Sequence, residues 1–197
     1  DFGVDATVIP NGIETERFAG ATAVVRDRPY LLTVGRLEAY KGVQHVIRAM
    51  SELPEYDLLI AGSGDYRKQL QAVANDEGVT AQVEFLGYVA DEELPRLYAG
   101  ADVYVTMSEF ESYGLTVTEA LAAGTPTVVN RVGALQEWCR YDACVGVDGT
   151  DSETLAAAIR TGAERERNTA PVPDWERVVD ELGALYESTA ITGENRT

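Results

Sequence analysis

The chain has 197 residues, 45% of them hydrophobic, and carries a formal net charge of −17, with 33 Asp and Glu against 16 Lys and Arg. That length suits one domain with a sizeable core, and the acidity argues against nucleic acid or an anionic membrane surface as a partner of this chain. No apolar run approaches the roughly 18 residues of a membrane span, and no signal peptide is recognisable.

In chain order, the first strand is predicted over Tyr30 to Val34, where it runs into Gly35 and Arg36. Lys41 and Gly42 then open a helix whose apolar stripe is Val43, Val46, Ile47 and Met50; His45, the only histidine, falls on its polar side and is expected at the surface. A second strand, Asp57 to Ala61, leads into Gly62 and Gly64, followed by a helix marked by Tyr66, Leu70, Val73 and Ala74. Strands over Gln82 to Leu86 and Asp102 to Met107 flank a helix carrying Leu94, Leu97 and Tyr98. Leu115 to Ala123 reads as a helix that Gly124 and Pro126 stop. Strands over Thr125 to Asn130 and Ala143 to Val147 follow, then a helix with Leu155, Ala158 and Ile159 that Gly162 should end. A final helix, Asp174 to about Ser188, shows Trp175, Val178, Val179, Leu182, Leu185 and Tyr186 at helical spacing, most of them expected to pack on the core, with 191–197 as a tail.

Most of these strands are short apolar runs without alternation, as in a sheet covered on both faces. Their alternation with helices implies a Rossmann-like three-layer α/β/α fold around a parallel sheet of about six strands. Cys139 and Cys144 have no further Cys or nearby His to complete a zinc site and are expected as two free thiols. A single histidine also argues against a Ser-His-Asp hydrolase.

The most informative stretch is TMSEFESYGLTVTEALAAGTPTVV, Thr106 to Val129, which sets Glu111 on a loop and Glu119 in the second turn of the helix beginning after Gly114. The first helical turn offers free N–H groups and a positive dipole end to an anion, with a carboxylate on each side to accept from hydroxyls. Val117, Ala120 and Leu121 share one face, and Glu119 lies away from it, near Leu115. Arg36 and Lys41 add two cations beyond the carboxyl end of a strand, where open parallel sheets bind ligands. Phosphates and polyols are the ligands such a set suits.

Taken together, LLTVGRLEAYKG from Leu31, LLIAGSG at Leu58 to Gly64, FLGYV at Phe85 to Val89 and the Glu-x7-Glu stretch resemble the C-terminal, donor-binding domain of family 4 retaining glycosyltransferases of the GT-B fold, over about residues 4–150. The resemblance implies that Arg36 and Lys41 bind the donor diphosphate beside Gly35, that Glu111 bonds hydroxyls of the transferred sugar and that Glu119 holds the ribose hydroxyls. It further implies that the loop with Tyr88 and Val89 packs by the base, that Gly62 and Gly64 belong to the donor site, and that Ser112, Tyr113, Gly114 and Leu115 surround the phosphates and sugar. Where the family usually reads Glu-Gly-Phe-Gly this chain has Glu111-Ser112-Tyr113-Gly114, and Gly133-Ala134 replaces a frequent Gly-Gly pair; Ser112 and Tyr113 are expected to crowd the sugar pocket.

On the same resemblance, residues 1–14 derive from the interdomain region, 15–190 form the donor domain, and the N-terminal acceptor domain is absent. The implied ligand is a UDP- or GDP-type sugar, transferred with retention to an acceptor hydroxyl in a cytoplasmic enzyme. A membrane-associated acceptor, and with it a peripheral position at the inner membrane surface, stays open through the absent half. No cofactor and no metal is expected, because the two cations balance the diphosphate and Glu109-x-Glu111 reads as loop carboxylates. Two alternatives remain, a sugar-nucleotide epimerase of the same fold and a non-catalytic nucleotide-binding module; a dinucleotide dehydrogenase fits less well, since Arg67 stands where its third glycine would. With only Lys41 and Lys68 as lysines, the acidic composition resembles that of proteins from salt-loving organisms, where a Debye length of about 3 Å in molar salt would let an anionic donor approach.

Overall fold

The computed structural model describes residues 7–168 and 170–194, with side chains up to Ser188 in the last helix. Six parallel strands form its centre: β1 (Tyr30–Val34), β2 (Asp57–Ala61), β3 (Val83–Gly87), β4 (Val103–Thr106), β5 (Thr127–Asn130) and β6 (Cys144–Val147), in the order β3-β2-β1-β4-β5-β6. Eight α-helices accompany them among the described residues: α1 (Thr15–Ala19), α2 (Val43–Ala49), α3 (Arg67–Asp76), α4 (Leu94–Gly100), α5 (Leu115–Ala122), α6 (Leu135–Trp138), α7 (Ser152–Ala163) and α8 (Trp175–Glu194). This is the predicted three-layer α/β/α arrangement, and its strand order reverses between β1 and β4.

Alternation along each strand builds two cores. Leu31, Leu58, Ile60, Val103, Val105 and Val128 point to the face covered by α2, α3 and α7. Leu32, Leu59, Ala61, Tyr104 and Val129 point to the opposite face, where α1, α4, α5 and α6 supply Phe18, Tyr98, Leu121 and Trp138. Both faces are therefore dry, which is why the strands read as unbroken apolar runs. Val117, Ala120 and Leu121 of α5 are fully buried, as the helical count predicts.

Five expectations need correction. The short helices α1 and α6 were not foreseen: at five and four residues they are too brief for a period, and tertiary packing of Phe18, Leu135 and Trp138 holds them. Gly162 does not stop α7 but lies inside its last turn, where an added Cβ would sit 3.1 Å from Val128 Cγ2; its bareness lets the helix lie close to β5. His45 is half-buried, because α2 is enclosed on more than one side, and that burial lowers its pKa. Along α8, of the six residues expected mainly in the core, only Val178 is buried; Trp175, Val179, Leu182 and Tyr186 are exposed, since the helix leans on the domain by one edge. The same helix continues to Glu194, beyond the expected end near Ser188 and through part of the expected tail, whose residues 195–197 lie outside the described residues, as do 1–6 of the N-terminal segment. The thiols of Cys139 and Cys144 are free, 4.0 Å apart.

One polar tie joins α4 to α5. The buried Tyr98 hydroxyl donates to Glu119 Oε2 at 2.8 Å, and its ring packs against Tyr104 and Phe18 at centroid distances of 5.5 and 5.9 Å. Burial drives the Tyr98 hydroxyl well above its usual pKa, so it remains a donor. Burial also raises the Glu119 pKa, outweighing the Tyr98 hydrogen bond and the Arg17 charge that favour the carboxylate.

Two outcomes are expected. Leu59→Ala, at a fully buried position of the second core, should lower unfolding stability by about 2–5 kcal/mol in a denaturant titration. For Glu119 the folded state holds its proton more tightly than the unfolded chain, so stability falls as pH rises through the window above the usual glutamate value. Glu119→Gln lacks that proton, and its stability relative to the parent should therefore improve as pH rises above the usual glutamate value and then level off; a difference that stays flat throughout would contradict the assignment.

Candidate donor-binding site

The site begins with two loops that leave neighbouring strands. β1 pairs with β4 through Leu31 with Val103 and Leu32 with Tyr104, and beyond them the chain turns toward α2 on one side and α5 on the other. A crevice opens at the strands' carboxyl ends, as the reversal of strand order requires. The two loops nonetheless meet. Gly42, at φ 70°, lies so close to the Met107 carbonyl that a Cβ would come within 2.0 Å of its oxygen, and the Glu109 N–H donates to the Tyr40 carbonyl at 2.8 Å. Only glycine can occupy such a position.

That contact puts Lys41 beside Glu111. Lys41 Nζ donates to Glu111 Oε2 at 2.7 Å, and each side chain is only 21% exposed. Glu111 is held from behind by the Ala134 N–H, which donates to its carbonyl at 3.2 Å. Arg36 is exposed and donates to the Tyr40 hydroxyl at 2.8 Å, while the Lys41 ammonium lies 5.5 Å from the Tyr40 ring centre. Glu109, the other carboxylate of this loop, points to solvent.

Around this pair is a cavity of about 230 Å³ lined by Gly35, Arg36, Lys41, Glu111, Ser112, Tyr113, Gly114, Leu115 and Thr116. Gly114 is the left-handed residue that starts α5, so the first helical turn borders the cavity. Tyr113 lines the wall without filling the space: its hydroxyl donates to the Asn11 carbonyl at 2.6 Å, and its own carbonyl accepts from the Trp138 indole at 2.7 Å. Asn11 and Trp138 give no sign of this role in the sequence, because Asn11 is 102 residues from Tyr113 and Trp138 stands on the unforeseen helix α6. Ser112 is exposed at the rim.

A second cavity, of about 260 Å³, adjoins the first through Val34, Gly35, Arg36 and Ala61, and adds Gly62, Tyr88 and Val89. Gly62 lets the loops after β1 and β2 touch, since a Cβ there would lie 1.8 Å from the Gly35 oxygen. Tyr88 stands 80% exposed at its edge. Gly64 borders neither cavity; it packs on Leu37, whose N–H donates to the Ser63 carbonyl at 2.9 Å, and so supports the Arg36 loop from below. The Glu119 carboxylate also lines neither, being one helical turn beyond Thr116 and bonded to Tyr98. Of the four charged groups expected to converge, three share one cavity.

Comparisons with known proteins agree with this fold. Residues 14–170 match the family model for glycosyl transferases group 1. An uncharacterized glycosyltransferase of Methanocaldococcus jannaschii is 42% identical over 132 residues, covering 66% of this chain and 34% of that protein. A GDP-mannose-dependent alpha-(1-6)-phosphatidylinositol monomannoside mannosyltransferase of Mycolicibacterium smegmatis is 36% identical over 182 residues, covering 80% of this chain and 47% of its own length. Among solved structures, a sucrose-phosphate synthase from Thermosynechococcus elongatus superposes with a TM-score of 0.79 at 27% identity, over 93% of this chain and 52% of that one. The chain thus spans about half or less of the length of these relatives. With a six-stranded parallel sheet, a cleft at its switch point and a family match over most of its length, the chain belongs to the glycosyl transferases group 1 family.

Proposed function

We propose that this chain is the donor-binding, C-terminal half of a retaining family 4 glycosyltransferase, and that its cleft holds a nucleoside diphosphate sugar. The observation that carries the reading is the meeting of Arg36, Lys41, Glu111 and the start of α5 in one cavity at the sheet's switch point. A diphosphate lying across Gly35 and Arg36 would face two cations and the positive end of a helix, and so reach from one cavity to the other. The base then packs by Tyr88 and Val89, and the sugar lies by Glu111. Glu119 has one oxygen held by Tyr98, and its electrostatic neighbour Asp91 belongs to the wall of the second cavity, which supports a place for it at the ribose.

Transfer breaks the bond between the anomeric carbon and the diphosphate, and negative charge grows on the leaving oxygens. Arg36 and Lys41 stabilise that charge more in the transition state than in the ground state, which is what lowers the barrier. Glu111 orients the sugar by accepting from hydroxyls away from the reacting carbon and forms no covalent intermediate. The acceptor binds on an N-terminal half that faces this cleft. UDP and GDP are the leading bases; the mycolicibacterial relative is named as using GDP-mannose. Its acceptor, as named, is a phosphatidylinositol mannoside, which supports a membrane-associated acceptor here and a peripheral place for the complete protein at the inner, cytoplasmic surface. Among the described residues no helix is long and apolar enough to cross a membrane. The composition, with two lysines and a charge of −17, supports a salt-loving source.

Calorimetric titration of this chain in molar salt with UDP, GDP and ADP, followed by their sugar conjugates, should show saturable binding of at least one of these ligands and identify the base; no binding of any diphosphate or conjugate would sink the reading. In the complete enzyme, Arg36→Ala should lower kcat by about 10²–10³. A loss below about fivefold would remove Arg36 from the chemistry.

A further inference from the structure

The two cations of the cleft are held differently. Arg36 donates to a neutral phenol, that of Tyr40, and among the described residues no carboxylate pairs with it. Lys41 is committed to Glu111 at 2.7 Å, and both side chains are about four-fifths shielded from solvent at 21% exposure. A carboxylate so placed depends on its donor, since solvent reaches it only from the cavity side, the side that a bound ligand fills. Glu111 also accepts no second side-chain hydrogen bond that would compensate for losing Lys41, within the contacts of the described residues.

These facts bear on what can enter. A diphosphate that engages Lys41 either draws the ammonium from Glu111 or places phosphate oxygens beside the carboxylate that shares it. Both arrangements disfavour the bound state, the first by leaving a shielded charge unpaired and the second by bringing like charges together. A sugar attached to the diphosphate changes the balance, because its hydroxyls are donors and can take over the Glu111 oxygens as Lys41 turns to the phosphate. The loss and its remedy arrive in one molecule.

We propose that Glu111, through its ion pair with Lys41, opposes binding of a bare nucleoside diphosphate and favours the same diphosphate when it carries a sugar, so that the cleft discriminates donor from product by the presence of hydroxyl groups beside the terminal phosphate. The inference rests on the donor-site reading above and adds to it a direction that a simple sugar contact does not have. A residue that only bonds sugar would weaken donor binding when replaced and leave bare diphosphate untouched. A residue coupled to Lys41 moves the two ligands in opposite directions.

The test is calorimetric titration of the chain and of its Glu111→Gln and Glu111→Ala variants with UDP, GDP, UDP-glucose and GDP-mannose, beside thermal unfolding of each protein. Both substitutions should strengthen binding of the bare diphosphate by about threefold or more, as the like charge is removed and Lys41 released, and weaken the sugar conjugate by about tenfold. Bare diphosphate binding that is unchanged or weaker in both variants would overturn the coupling while leaving the donor-site reading intact. A parent chain that binds none of the four ligands would overturn both. Because a merely damaged fold lowers affinity for every ligand, a gain for one and a loss for the other cannot arise from misfolding.

Discussion

Because β1 lies beside β4 at the centre of the sheet, two loops that leave the chain far apart in sequence must run side by side, one toward each face. Everything in the cleft follows from how closely they approach. Gly42 permits contact with the Met107 carbonyl, and the Glu109 N–H fastens the second loop to Tyr40. With those contacts Lys41 reaches Glu111; a side chain at Gly42 would force the loops apart and separate the pair. Charge is thus set by backbone packing before any ligand is considered.

An acidic protein that binds an acidic ligand faces a problem of sign. This chain carries a net charge of −17, and its exposed arginines are largely engaged with neighbouring acids, such as Arg28 with Asp57 and Arg160 with Glu55. Arg36 is a different case: it is bonded to a phenol, and no acid is paired with it among the described residues. Lys41 is partly cancelled, which keeps the cavity from being strongly positive and makes its attraction for an anion conditional. The helix start at Gly114 adds a third positive element that is fixed in the backbone and cannot turn away.

Much of this was legible in advance. Unbroken apolar runs such as Leu58 to Ala61 show a strand covered on both sides, and the strand limits then follow from Gly62 or Gly35. Val117, Ala120 and Leu121 revealed the inner face of α5 by spacing alone. Periodicity failed where an element was too short to display it, as in α1 and α6, and where it does not report the neighbour, as in α8. Gly162 illustrates a further limit: a glycine near a helix end reads the same whether it stops the helix or allows a close approach, and only the 3.1 Å distance to Val128 distinguishes them.

For the site itself, the sequence by itself determined the chemical inventory and its local setting: two cations after a strand, a glycine at a helix start, and carboxylates on a loop and in a helix. These are properties of neighbouring residues, and local backbone preference suffices to place them. Which charges meet was decided only by the tertiary structure. Lys41 and Glu111 are 70 positions apart and join because parallel pairing sets β1 beside β4, while Glu119, eight positions from Glu111, turns to Tyr98 because its helix packs on α4. Distance along the chain carries no information about such pairings, since they depend on strand order and helix packing that form only when the whole sheet does.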